Sequence, residues 1–258
     1  AEKAQAITLY LPGLVSASGA GQSTETFQPE KFRGLLQQLT DLMVPIYTDG
    51  GNTSGALGFE IGMGWGVGFV TDEDAGWEQG TRDSSSSVNT LELGVRKGLP
   101  WATEIGAFMS NIDSSSIWAF GLELEVSPVD GLAHIPDISI ATGVSSATGT
   151  GDLNMLMVSS RLTLSKSFAP SPTIAIIPFA GFQYIFVRGS IPVLSKVRDD
   201  VSEDSNDFLT ELLPPPTVGH VNRGFGGVRG LVGPLTVALV GGMSNVAQRV
   251  AFEFGLRY

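Results

Sequence analysis

Residues 57–69 read Leu57-Gly58-Phe59-Glu60-Ile61-Gly62-Met63-Gly64-Trp65-Gly66-Val67-Gly68-Phe69. Every odd position is apolar and large. Every even position is glycine or glutamate. A period of two places alternate side chains on opposite faces of a β-strand, so this stretch is a strand with one wide apolar face and one nearly bare face. The same alternation returns along the chain. Leu91, Leu93 and Val95 alternate with Glu92, Gly94 and Arg96. Trp118, Phe120, Leu122, Leu124 and Val126 alternate with Ala119, Gly121, Glu123 and Glu125. Leu156, Val158, Leu162 and Leu164 alternate with Met157, Ser159, Arg161 and Thr163. Val250, Phe252, Phe254, Leu256 and Tyr258 close the chain against Arg249, Ala251, Glu253, Gly255 and Arg257.

These patterns predict about ten strands, at 55–70, 87–98, 101–110, 115–126, 136–144, 153–165, 173–189, 218–231, 234–243 and 247–258; eight or twelve are the alternatives. Several are far longer than the usual five or six residues of a globular strand and match the roughly 9–11 residues that cross a tilted bilayer. The connections after even-numbered strands are mostly short. Two of those after odd-numbered strands, 71–86 and 190–217, are long and polar. Outer-membrane barrels pair short periplasmic turns with longer external loops. Two charge-free stretches, 167–187 and 230–248, have the length of a membrane helix, but Pro170, Pro172, Pro178, Gly233, Pro234, Gly241 and Gly242 argue against helix there. Only one segment reads as helix. From Pro29 to Met43, Phe32, Leu35, Leu36, Leu39, Leu42 and Met43 share one face. Pro29 and Glu30 suit a first turn, and Pro45 ends it.

The terminal run Val250-Ala251-Phe252-Glu253-Phe254-Gly255-Leu256-Arg257-Tyr258 resembles the last strand of bacterial outer-membrane β-barrel proteins. Those proteins end in an aromatic residue that the barrel-assembly machinery recognises. The resemblance implies an exported chain whose leader has been removed, a closed transmembrane antiparallel barrel, and outer-membrane lipid around it. Val95-Arg96-Lys97-Gly98-Leu99-Pro100 and Pro178-Phe179-Ala180-Gly181 look like uncharacterised outer-membrane proteins of myxobacteria, for which no activity is assigned.

A membrane barrel turns its apolar face to lipid and its polar face to the lumen. On this reading the lumen holds Glu60, Glu92, Glu104, Glu123, Glu125 and Glu253 with Arg96, Arg161, Arg249 and Arg257. Arg229 joins them if strand 218–231, whose alternation breaks near Gly226-Gly227, carries a bulge. Mixed charges in a confined space are expected to pair, because an unpaired buried charge is costly. Aromatic girdles would place Trp101 and Tyr258 near one interface and Phe69 and Trp118 near the other. The glycine row 58, 62, 64, 66 and 68 makes room either for a sharp bend or for an element packed close. Residues 1–50 form an N-terminal segment, and 51–258 the barrel. The helix within that segment is expected to enter the lumen or cap its periplasmic mouth, or else to dock on a partner or on the membrane.

Composition removes other classes. The 258 residues include 33 glycines and no Cys, carry only 16% charged residues, and have a net charge of −11. Disulfides and thiolate metal sites are excluded. An acidic chain is a poor nucleic-acid binder. Connection 71–86 holds five acids against Arg82, and 190–217 holds six against Lys196 and Arg198, so together they supply −8 of the −11. Within them Asp72, Asp74, Asp199, Asp200 and Asp204 are weak Ca²⁺ candidates without the spacing of a calcium loop; a solvated acidic loop is the simpler reading. Ten-stranded barrels include the omptin proteases, but Val218 stands where their Asp-x-His pairing would need Asp before His220, and His134 has no partner group. No cofactor motif is present: Gly62-Met63-Gly64-Trp65-Gly66 and the glycines near 224–230 lack phosphate-loop spacing. The expectation is a non-enzymatic outer-membrane barrel, largely plugged, acting as a structural or anchoring part of a cell-envelope assembly with envelope proteins as partners. A narrow channel for small or apolar solutes is the alternative, and an outer-membrane enzyme a remote one.

Overall fold

A computed structural model describes residues 9, 15–17, 25–46, 53–70, 77–81, 86–113, 115–132, 134–149, 153–171, 173–191 and 216–258. Ten long strands form the wall: β3 (Phe59–Val70), β4 (Ser87–Leu99), β5 (Thr103–Ile112), β6 (Trp118–Val129), β7 (Asp137–Thr148), β8 (Asn154–Ser165), β10 (Ile174–Ser190), β11 (Thr217–Val232), β12 (Leu235–Ser244) and β13 (Ala247–Arg257). Each pairs antiparallel with its neighbours, β13 pairs with β3, and β10 pairs with both β8 and β11. The sheet is therefore a closed antiparallel barrel of ten strands. A short strand, β9 (Phe168–Ser171), pairs with the start of β10. Pro178 lies in β10 where β8 has ended and β9 has not yet begun, so its missing N–H breaks no long ladder. A separate hairpin joins β1 (Val15–Ala17) and β2 (Glu25–Phe27). Among the described residues no helix is long and apolar enough to cross a membrane.

The wall is inside out relative to a soluble barrel. Trp65 is 54% exposed, Leu122 57% and Leu239 57%, and a broad outward band of Val, Ile, Leu and Phe accompanies them. The alternate positions are buried: along β3 these are Glu60, Gly62, Gly64, Gly66, Gly68 and Val70. Exposed Trp101 and Tyr258 stand at the end where the chain terminates, and Phe69 and Trp118 at the opposite end.

Inside the wall lies helix α1 (Pro29–Met43), which touches β4, β5, β10, β11 and β13. It occupies the half of the lumen away from the C terminus, not the mouth beside it. Phe32, Leu35, Leu36, Leu39, Leu42 and Met43 join one apolar cluster with Val70, Val88, Ile112, Met155, Met157, Ile185, Val187 and Val221. All of those wall residues sit near the strand ends opposite the C terminus. A short helix, α2 (Trp77–Gly80), covers α1 there, with Trp77 fully buried in the same cluster.

Glycines of the wall set how close the helix approaches. A Cβ at Gly68 would overlap Leu42, and one at Gly189 would overlap Leu36. Of the two explanations open for the glycine row on β3, the close-packed element holds at Gly68; below it the row faces Arg249, Thr90, Glu92 and Glu253 side chains. Overpacking at such a contact costs about 1–3 kcal/mol. Gly68→Leu is thus expected to lower the unfolding midpoint in detergent by that amount. Gly241→Leu, on the outward face with nothing near its Cβ position, is expected to be close to neutral.

Candidate functional site in the barrel lumen

A buried helix end poses a specific problem. The last carbonyls of a helix have no intrahelical donor, and α1 ends in the middle of the lumen. The wall supplies the donors. Arg223 on β11 donates to the carbonyls of Asp41 (3.0 Å), Val44 (3.0 Å) and Pro45 (3.0 Å), and to Gln183 Oε1 on β10 (2.5 Å). It also faces the Asp41 carboxylate at 3.5 Å. Arg249 on β13 donates to the Val44 carbonyl (3.1 Å) and to Thr90 on β4 (2.8 Å), and pairs with Glu92. Ser110 on β5 donates to the Met43 carbonyl (2.5 Å). Positive charge at a helix C terminus also complements the macrodipole. Arg223, Arg249 and Asp41 are all fully buried.

Further contacts fix the direction of the helix. Arg33 donates to the Val218 carbonyl (3.1 Å) and Gln37 to the His220 carbonyl (2.7 Å). With Asp41 beside Arg223, the helix descends β11 from rim to mid-lumen. Its N terminus is at the rim opposite the chain's C terminus.

Below the helix end the lumen carries ion pairs beside a small apolar cluster of Ile46, Phe179, Phe225, Val240 and Ala251. Arg161 bridges Glu123 (2.8 Å) and Glu125 (2.7 Å). Arg229 pairs with Glu60. Arg257 donates to the Thr53 carbonyl (2.7 Å), and Ser54 donates to Glu104 from its backbone N–H and its hydroxyl (both 3.3 Å). Arg96 and Glu253 line, with Glu60 and Glu92, a cavity of about 30 Å³ beneath Pro45 and Ile46, room for ordered water among polar groups.

Each lumen residue expected from the alternation therefore faces inward: Glu60, Glu92, Arg96, Glu104, Glu123, Glu125, Arg161, Arg249, Glu253 and Arg257. The expected bulge near Gly226-Gly227 is absent, and the β10–β11 and β11–β12 ladders run unbroken through it. Alternation is kept geometrically, with Arg223, Phe225, Gly227 and Arg229 all inward. It is hidden in the sequence because small residues, Gly224 and Gly226, occupy the outward face there while Phe225, beside Phe179 at 6.4 Å, occupies the lumen.

Arg223, Asp41 and Gln183 are site residues that the pattern did not single out. A signal for the apolar half-lumen does exist. Met155-Leu156-Met157-Val158 and Ile185-Phe186-Val187 are apolar on both faces, where a water-filled lumen would demand one polar face. His220 points outward and lies against Tyr184, 3.3 Å from its hydroxyl. Among the described residues no cluster of His, Asp and Glu could hold a metal. The calcium candidates Asp72, Asp74, Asp199, Asp200 and Asp204 lie outside the described residues.

No family model and no curated protein matches the chain. The solved structures it resembles include the β domain of the Bordetella autotransporter BrkA (TM-score 0.47, 10% identity, 79% of this chain and 99% of that one). They also include the attachment invasion locus protein Ail of Yersinia pestis (TM-score 0.29, 7% identity, 79% and 99%). The N-terminal β-barrel domain of Pseudomonas aeruginosa OprF is a third (TM-score 0.30, 9% identity, 79% and 99%). All three are likenesses of fold.

Removing one partner of a buried ion pair costs about 3–5 kcal/mol. Arg223→Ala is expected to lose stability on that scale in guanidinium unfolding of the micelle-bound barrel. Arg223→Lys is expected to restore little, because an ammonium lacks the fork that reaches several carbonyls at once. Arg188→Ala, at an exposed outward position, is expected to leave stability unchanged.

Proposed function

We propose that the chain is an outer-membrane barrel closed to solute flow by its own N-terminal helix, and that it serves the cell envelope as a structural or anchoring component. The observation that carries this reading is the burial of α1 inside the wall, its end tied to Arg223 and Arg249. A ten-stranded barrel is only slightly wider than the eight-stranded kind that side chains alone can fill, and a helix with its side chains is about 10–12 Å across. Beneath it, charged side chains including Glu60, Glu92, Arg96 and Glu253 crowd the lumen and narrow what space remains. The outward apolar band supports contact with lipid, and the terminal strand 247–257 supports delivery by the barrel-assembly machinery. The reading assigns no catalysis. Surface loops at either mouth are the places for envelope proteins to bind.

Planar-bilayer recording of the purified full chain is expected to give no stable conductance steps. Arg223→Ala combined with Arg249→Ala, which frees the helix end, is expected to add brief openings. A stable open channel from the unaltered chain contradicts the closed-barrel reading.

A further inference from the structure

The helix enters the lumen from one side only, and this fixes where the segment ahead of it must lie. We infer that the barrel presents the chain ahead of α1, from Leu9 to Gln28 where it is described, on the cell exterior, at the rim where the acidic connections 71–86 and 190–217 leave the wall. The inference rests on the outer-membrane reading above and adds the sidedness of the N terminus.

Three independent observations point the same way. Helix α1 has its N-terminal turn at the rim, because Arg33 and Gln37 meet the Val218 and His220 carbonyls near the start of β11 while Asp41 meets Arg223 deeper in. The strand ends at that rim are Val70 and Ser87 around one acidic connection, and Ser190 and Thr217 around the other. Leu9 bridges Thr81 within connection 71–86 and packs against the cluster around α1, and α2 in the same connection closes over the helix at Leu35.

A return path is sterically closed. For the segment ahead of Pro29 to reach the C-terminal end, it would have to pass beside α1. Leu36 and Leu42 pack on the wall and Leu35 beneath α2, and these residues are fully buried, as are Leu39, Gln38, Thr40 and Asp41 around the rest of the circumference. Gly68 and Gly189 leave no room even for a methyl group at their contacts. A second chain would also need partners for its own buried N–H and C=O groups. Among the described residues the rim is thus the exit that the helix leaves open. In a barrel whose C-terminal strand ends at the periplasmic side, that rim is the exterior.

The absence of Cys from the whole chain makes the test clean. Three single-cysteine variants are expressed in a Gram-negative host: Ser23→Cys in the N-terminal segment, Ser205→Cys in connection 190–217, and Ala56→Cys at the exposed turn before β3. Intact cells are treated with a membrane-impermeant maleimide, and again after the outer membrane is permeabilised. The inference expects S23C and S205C to be labelled in intact cells and A56C only after permeabilisation. Loss of S23C labelling in intact cells while S205C is labelled overturns it, as does labelling of A56C in intact cells. Failure of the underlying reading is distinguishable. The chain would then be found in the soluble fraction, without the heat-modifiable migration of a folded barrel, and both statements would fall together.

Discussion

The carbonyl groups at the inner end of α1 constrain everything around them. A helix that ends inside a barrel leaves strong acceptors where water is scarce, and an unsatisfied buried carbonyl costs about 1–3 kcal/mol. Arg223, Arg249 and Ser110 reach the Asp41, Met43, Val44 and Pro45 carbonyls from three different strands. The two guanidiniums then need counter-charge of their own. Asp41 supplies it to Arg223, from which the neutral Gln183 Oε1 also accepts a hydrogen bond, and Glu92 supplies it to Arg249. Helix depth, wall composition and ion pairing are thereby coupled, and none can shift without orphaning a charge.

That coupling divides the lumen into two storeys with different chemistry. Above the arginines the wall is apolar, because the helix can bury Leu, Phe and Met only against Val, Ile and Met. Below them the wall side chains must fill the space themselves, with a small apolar cluster of Ile46, Phe179, Phe225 and Val240 on one side and ion pairs on the other. Arg161 between two glutamates and Arg229 on Glu60 do so. An aqueous channel would carry polar side chains along its full length. Here half the inner wall has the composition of a protein core.

Much of this is legible in the sequence, and the remainder has physical reasons for being hidden. Strand alternation is plain because the outward face is an almost unbroken band of large apolar residues, and the strand positions follow from it within a few residues. The helix 29–43 is legible from its spacing. Its depth is not, since amphipathicity reports one apolar face, whereas Gln38, Thr40 and Asp41 on the other side are equally buried. The inward charges of β3 to β8 are readable because large apolar residues mark the opposite face. On β11 glycines stand on the outward face, so Arg223, the residue that holds the helix end, loses its marker. Pairing is a property of the closed ring: Arg161 meets Glu123 across β7, and Arg223 meets Asp41 182 residues away.

The claim on which the account stands is that α1 is an integral part of the lumen core. Hydrogen exchange of the micelle-bound full chain tests it most directly. The backbone amides of residues 33–43 are expected to exchange as slowly as those in the middle of β11 and β13, since they open only when the barrel does. Exchange of the helix amides on the timescale of surface turns, while the strands stay protected, would mean that the helix leaves the lumen freely, and would contradict the account.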